Sequence, residues 1–319
     1  MKRIMDLQLH RLKYFVAVAE SANVTRAAHD LHVAQPSVST QIHKLEAELG
    51  TVLFHRSQTG MELTQAGQTL LPLARRMLAG AAEAVERLRE LDGLRRGRLS
   101  IAATPSLARA LLPAALVGLH RQHPGVSIEI TEGPSGSLMS KLETAEIELA
   151  LLVLTSPSDF VLQHPLAEEE LVCVTSLDHE LSSRRRIRLT ELRDQPLVMF
   201  GDAYRLRQET IDACLAAGFK PEIASEGGDI DGVLALATAG LGVAIVPSIA
   251  AHFHARAHVI RLSNPTPSRV IGLVRRRDHV PSRPAEELTN HLLALLERSG
   301  WPRRQPAGLK IFPRPPTRL

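Results

Sequence analysis

Residues 23–49 read NVTRAAHDLHVAQPSVSTQIHKLEAEL, and this stretch decides the architecture of the first part of the chain. Val24, Ala27, Ala28 and Leu31 recur at helical spacing and give a first helix one apolar face. Residues 31–36 turn the chain, and Pro36 suits a helix start, where a missing N–H costs nothing. At about 100° per residue, Val38, Ile42, Leu45 and Leu49 then form a narrow apolar stripe, while Ser37, Thr40 and Lys44 share a different, exposed face. A helix that begins with Gln, Ser and Thr and carries Lys further along suits base edges near its start and phosphate beyond. An amphipathic helix pair with a solvated polar face satisfies the same spacing, because helical hairpins are common.

The flanks separate the two readings. Residues 53–56 (LFHR) and 61–63 (MEL) are short alternating runs joined by Ser57, Gln58, Thr59 and Gly60, which predicts a hairpin. A hairpin directly after a helix-turn-helix is a wing, from which Arg56 and Gln58 reach the backbone or the minor groove. Thr64 then caps another helix. From Ala27 to Gly67 the series AAxxLxVAQPSVSxQIxxLExELGxxLFxRxxxGxxLTxAG resembles the N-terminal domain of the LysR-type transcriptional regulators. Two positions depart from that pattern: Thr40 stands where Arg is frequent, and Ala34 where Ser or Thr is frequent. The resemblance implies double-stranded DNA as a partner, with Gln35, Pro36, Ser37, Ser39 and Thr40 at the major groove and Lys44 and Arg56 on phosphate. Thr25 and Arg26 join that set.

A chain of 319 residues holds two or three domains, and 44% hydrophobic with 23% charged residues is ordinary for a globular protein. Aromatic content of 3% argues against a stacking platform for single strands. No run approaches a membrane span, and MKRIMDLQLHRL lacks the apolar core of a signal peptide, so a cytoplasmic protein with no membrane partner is expected. The net charge of +4 misleads, because Arg298, Arg303, Arg304, Lys310, Arg314 and Arg318 lie in a terminal segment with no acid; without them the chain sits near −2. All of these but Arg298 belong to a basic, Pro-rich tail, 299–319, which has no periodicity and is expected to be disordered. Cys173 and Cys214 fall in an apolar strand and an apolar helix, where inert core packing is the common case and a redox switch the rival.

From Thr64 to about Leu94 one long helix is predicted, about 40 Å at 1.5 Å per residue. Leu70, Leu73, Met77, Ala81, Ala84 and Leu88 recur along it and fit a seam between two chains, with Gly80 allowing close approach; packing within the chain is the alternative. Gly93 and Gly97 bracket a hinge, after which strands and helices alternate: strands at 99–103, 126–130 and 148–153, then 170–175, 196–200, 221–224, 243–246 and 268–274. Helices are expected through 120, to about 145, and over 204–217, 230–239 and 284–298. The runs LLPAALVGLHRQHPGVSIEI, GSLMSKL and ATAGLGVAIVPS make 98–298 resemble the effector domain of the same family, a fold shared with periplasmic solute-binding proteins. The expected class is therefore α/β, with an N-terminal winged helix-turn-helix (1–64), a long dimerisation helix with its hinge (65–97), and a two-lobed αβ effector domain (98–298). Lobe I comprises about 98–168 plus 268–298, and lobe II about 169–267.

Ligands of parallel sheets sit beyond the carboxyl ends of strands. Thr104 and Ser106 occupy the first such junction, Ser135 and Ser137 the second, and Phe200, Gly201, Asp202, Tyr204, Arg205 and Arg207 a third. Arg205 or Arg207 suits a carboxylate or sulfate, so a small anionic effector is expected at Thr104, Ser106, Ser135, Phe200, Tyr204 and Arg205. Simple helix capping by the hydroxyls is the rival. His252, His254 and His258 have no Cys, Asp or Glu in their run to complete a metal site, Gly240 and Gly242 precede a strand, and neither a nucleophile elbow nor a P-loop occurs. Neither cofactor, metal nor catalytic group is expected. The resemblance further implies a dimer or a tetramer of dimers, a cleft that closes on its effector, and RNA polymerase as partner if the protein activates. A non-regulatory solute-binding module is the alternative for 98–298, and it leaves the winged segment unexplained.

Overall fold

Three helices open the chain: α1 (Leu9–Ser21), α2 (Val24–Asp30) and α3 (Gln35–Leu49). Asn23 starts α2 by accepting the N–H groups of Thr25 at 2.9 Å and Arg26 at 3.1 Å, and Pro36 stands in the first turn of α3. Leu12, Phe15 and Val18 of α1 close on Ala27 and Ala28 of α2 and on Val38, Ile42 and Leu45 of α3. Leu49, expected in that stripe, is 40% exposed, because it is the last residue of α3 and projects past the face that α1 and α2 cover. The computed structural model describes residues 7–57, 60–91, 97–155, 158–254, 256–297, 306 and 308–313; they fall into two units, the described residues before 95 with 143–146, and the rest.

The wing follows as β1 (Phe54–Ser57) and β2 (Gly60–Leu63), antiparallel with Phe54 opposite Leu63 and Ser57 opposite Gly60. Ser57 and Gly60 thus belong to the strands rather than to the expected turn; Gln58 lies outside the described residues. Three contacts fix the wing. The Glu46 carboxylate of α3 accepts the N–H of Leu53 at 2.8 Å and of Phe54 at 3.4 Å. The Thr64 hydroxyl donates to Val52 O at 2.7 Å and accepts the Gly67 N–H at 3.1 Å. Met61 N–H donates to Ala22 O at 2.8 Å, and a Cβ on Gly60 would stand 2.4 Å from that same oxygen, so only glycine permits the approach.

Helix α4 (Gln65–Leu91) runs 27 residues. Ala66, Leu70, Leu71, Ala74 and Leu78 pack on the N-terminal core. Leu70, expected in a seam between chains, is half-buried against the core of its own chain. Leu73, Met77, Ala84, Val85 and Leu88 are exposed. Of the expected hinge, residues 92–96, Gly93 included, lie outside the described residues.

The second unit begins with β3 (Arg98–Ala103), α5 (Pro105–Ala110), α6 (Leu112–Gln122), β4 (Ser127–Glu132), α7 (Ser135–Glu143) and β5 (Leu149–Val153). The helix expected through 120 is two, because Pro113 lacks the N–H that would continue α5 into α6. Strand β3 pairs in parallel with β4 and β5. Next, β6 (Val161–Thr175) is a 15-residue strand that begins far earlier than the expected 170–175. It is followed by β7 (Arg186–Arg188), β8 (Leu197–Phe200), α8 (Arg205–Ala216), β9 (Ile223–Gly227), α9 (Ile230–Thr238), β10 (Ala244–Pro247), α10 (Ser248–Phe253), β11 (His258–Ser263), β12 (Ser268–Arg276) and α11 (Arg283–Glu297).

The pairing is mixed rather than wholly parallel. β12 lies antiparallel between β5 and β6, and β10 and β11 flank the distal end of β6, also antiparallel. Strands β8 and β9 form a separate parallel pair. One core collects Leu171 to Leu262, another collects Leu99 to Ala167 with Ile271 to Leu296, and β6 contributes to both. The tail, expected to be disordered, supplies β13 (Leu309–Ile311), antiparallel to β6, with Leu309 buried in the second of those cores. Among the described residues no helix is long and apolar enough to cross a membrane.

The N-terminal core rests on Phe15, which is fully buried with its ring centroid 5.3 Å from that of Phe54. Phe15→Ala is expected to cost about 3–5 kcal/mol of local stability, read as faster hydrogen exchange in α1–α3 with α6 and α11 unchanged. Equal acceleration in both units would contradict their separate cores.

Candidate functional site

The polar face of α3 is built by its apolar one. With Val38, Ile42 and Leu45 buried, Ser37, Thr40 and Lys44 are left together in solvent, and Gln35 and Pro36 open the helix beside them. Thr25, Arg26 and the wing residue Arg56 are exposed as well. Ser39 differs: it is half-buried, and its hydroxyl accepts the side-chain amide of Gln35 at 3.2 Å. That contact orients Gln35 more than it presents Ser39. An ion pair between Arg11 and Glu48 ties α1 to the far end of α3, so the exposed face belongs to a braced helix.

A cavity of about 70 Å³, open to solvent, lies where the carboxyl ends of β3, β5, β8 and β10 converge. Thr104, Ser106, Ser135, Phe200, Tyr204 and Arg205 all line it, so residues up to 101 positions apart in sequence meet at one cavity. Ser137 and Arg207 do not; Arg207 instead pairs with Asp202 at 3.1 Å and Glu226 at 2.8 Å. Much of the lining is apolar: Pro105, Pro134, Val153, Leu206, Ile230 and Pro247, with the rings of Phe200 and Tyr204 5.9 Å apart.

Three polar features stand out against that background. The Thr104 side-chain hydroxyl is buried and has no hydrogen-bond partner among the described residues. Arg205 pairs with Glu209 at 2.7 Å, one helical turn on, and both face the cavity. Arg269 was not singled out by sequence, because one Arg opening the strand SRVIGLV carries no local signal. Its Nε meets the fully buried Glu169 carboxylate at 2.8 Å, and its guanidinium donates to the Ser106 hydroxyl at 3.1 Å. Glu169 also accepts the Ile249 N–H at 2.7 Å. Ser106 is thus held by a charge network and does not serve only as a helix start.

Comparison with known proteins agrees along the chain. Residues 9–68 match the family of bacterial regulatory helix-turn-helix proteins of the lysR family, and residues 92–297 match the LysR substrate binding domain. A hydrogen peroxide-inducible genes activator of Dickeya chrysanthemi is 30% identical over 273 residues, covering 85% of this chain and 90% of the relative. Among solved structures, a full-length OxyR from Pseudomonas aeruginosa superposes with a TM-score of 0.71 at 26% identity, covering 94% of this chain and 98% of the other. Full-length CbnR complexed with its target DNA gives 0.65 at 28% identity, covering 90% and 99%.

Both cysteines lie in the core around β6, β8 and α8, and both are free. Burial pushes the Cys173 thiol up to about 12 and the Cys214 thiol up to about 11. These values lie above those of an unfolded thiol, so the stability they confer is complete below about pH 8.5 and is lost as pH rises through the alkaline range. Native protein at pH 8 is expected to resist iodoacetamide at both thiols and to react fully once unfolded in urea. Rapid labelling of the native chain would contradict the burial.

Proposed function

The chain belongs to the LysR family of DNA-binding transcriptional regulators with an effector-binding domain, and we propose that it reads base edges through the start of α3. Gln35, Pro36, Ser37 and Thr40 face the major groove, with Ser39 steadying Gln35, while Thr25, Arg26, Lys44 and Arg56 engage the backbone. The supporting observation is the exposure of all of these but Ser39, on the braced helix α3, at the start of α2 and on the wing.

The cavity is the effector site, and the buried, unpartnered Thr104 hydroxyl carries that assignment. Such a group costs stability unless a ligand completes it. The Arg205–Glu209 pair is a surface pair of one helical turn, weak enough for an entering carboxylate to take the place of Glu209. The effector is therefore a small anion whose apolar body lies against Phe200, Tyr204 and the surrounding prolines.

Two copies join along α4. Leu73, Met77, Ala84 and Leu88 form an exposed apolar row, and Gly80 and Ala81 between them let a second helix approach. Effector closure of the two lobes, 98–168 with 268–298 and 169–267, shifts the subunits and the spacing of the bound half-sites. RNA polymerase is the further partner when the chain activates. A peroxide response, which the names of some relatives record, is not part of this reading, because burial disfavours the thiolate at both Cys173 and Cys214.

Two substitution sets test these assignments. Gln35→Ala is expected to cost about 1–3 kcal/mol on the cognate site with little effect on random DNA, whereas Lys44→Ala weakens both and flattens the salt slope by about 1. Equal losses on both DNAs for the two variants would refute the division. Thr104→Val is expected to leave unfolding within about 1 kcal/mol of the parent while abolishing the response of the DNA complex to small carboxylates. A retained response would remove Thr104 from the site.

A further inference from the structure

The family match ends at residue 297, yet the chain folds back beyond it. Leu309, Lys310 and Ile311 pair antiparallel with Glu169, Glu168 and Ala167 of β6, on the edge opposite β12. Glu170 N–H donates to Gly308 O at 3.0 Å, and Phe312 N–H to Leu166 O at 2.8 Å, closing the pairing at both ends. Here β6 leaves the partnership with β12 for that with β10 and β11. Lys310, exposed, stands opposite Glu168 in a run of three glutamates.

Register determines what this segment covers. Arg269 on one side and Leu309 on the other are both opposite Glu169, and residues opposite one another across a ladder share a face of the sheet. Leu309 is 7% exposed and Glu169 fully buried. The tail therefore supplies apolar cover beside the one carboxylate that holds both the pocket-lining Arg269 and the first turn of α10.

We propose that the Leu166–Glu170 edge of β6 is a peptide-docking site whose occupant is the chain's own 308–313 segment, and that its occupancy keeps the Glu169–Arg269 junction dry and the pocket wall in place. Undocking admits water to the ion pair, weakens it, and frees Ser106 and the start of α10. Docking itself stands apart from the effector assignment; only its consequence for regulation rests on that reading.

The test needs no effector. Amide hydrogen exchange is compared in the full chain, a chain ending at residue 305, and Gly308→Val. At Gly308 φ is +77°, and a Cβ would stand 2.4 Å from the Glu170 carboxyl group, which Arg261 holds at 3.0 and 2.7 Å. That variant displaces the segment without deleting it. Expected in both is about tenfold or greater acceleration at Glu170, bonded to the tail, and at Ile249, bonded only to the Glu169 side chain, with α3 unchanged. A synthetic peptide of residues 306–313 added to the shortened chain restores both, and the same peptide carrying Leu309→Asp does not. Acceleration at Glu170 alone would reduce the segment to an edge cover and overturn the proposal. Failure of the peptide to restore Ile249 would overturn it too. Loss of the Thr104 assignment above would leave these exchange results standing.

Discussion

A carboxylate with no exposed surface must be neutralised where it stands, and Glu169 imposes that constraint on the effector unit. Its two oxygens take the Arg269 guanidinium and the Ile249 N–H, and Arg269 in turn takes Ser106. Three segments far apart in sequence are thereby fixed to β6: the start of β12, the first turn of α10 and the first turn of α5. The cavity lies among these same elements. Its wall is consequently set by a charge network and not by loop packing alone, and a ligand that moves Arg269 or Ser106 acts directly on the strand shared by both cores.

The N-terminal unit solves a different problem with the same economy of contacts. A short recognition helix presents a polar face reproducibly only if its apolar face is immobile. Leu12, Phe15 and Val18 provide the immobile surface, Glu46 ties the helix to the wing, and the close approach at Gly60 ties the wing back to the end of α1. Helix α4 then uses one face for this core and leaves another, through Leu73, Met77 and Leu88, to solvent in the single chain. That division explains why a single apolar stripe in the sequence covers residues with two different fates.

Periodicity made most of the fold legible. Helices α2, α3, α4 and α11 and strands β3, β5, β8 and β10 follow from spacing within two or three residues, and so do the six pocket residues placed at strand ends. Three features were not legible, each for a physical reason. The first ten residues of β6 carry no clear alternation, because HPLAEEE puts a buried acid where an apolar residue would signal a strand. Arg269 acquires meaning only from Glu169 across the ladder. The strand at Leu309 is three residues long in a Pro- and Arg-rich segment, and it exists because β6 offers an unpaired edge there. Helix α1, by contrast, could have been found: Leu12, Phe15 and Val18 fall at three-residue steps within Leu9–Ser21.

Sequence-specific DNA binding by the winged unit is read by footprinting the full chain on DNA upstream of its own gene across a salt series. A two-fold symmetric protected site that persists at moderate salt is the predicted result, since base contacts from α3 survive when phosphate contacts are screened. Diffuse protection that disappears with modest salt would contradict it and would assign the binding to the basic terminal segment instead.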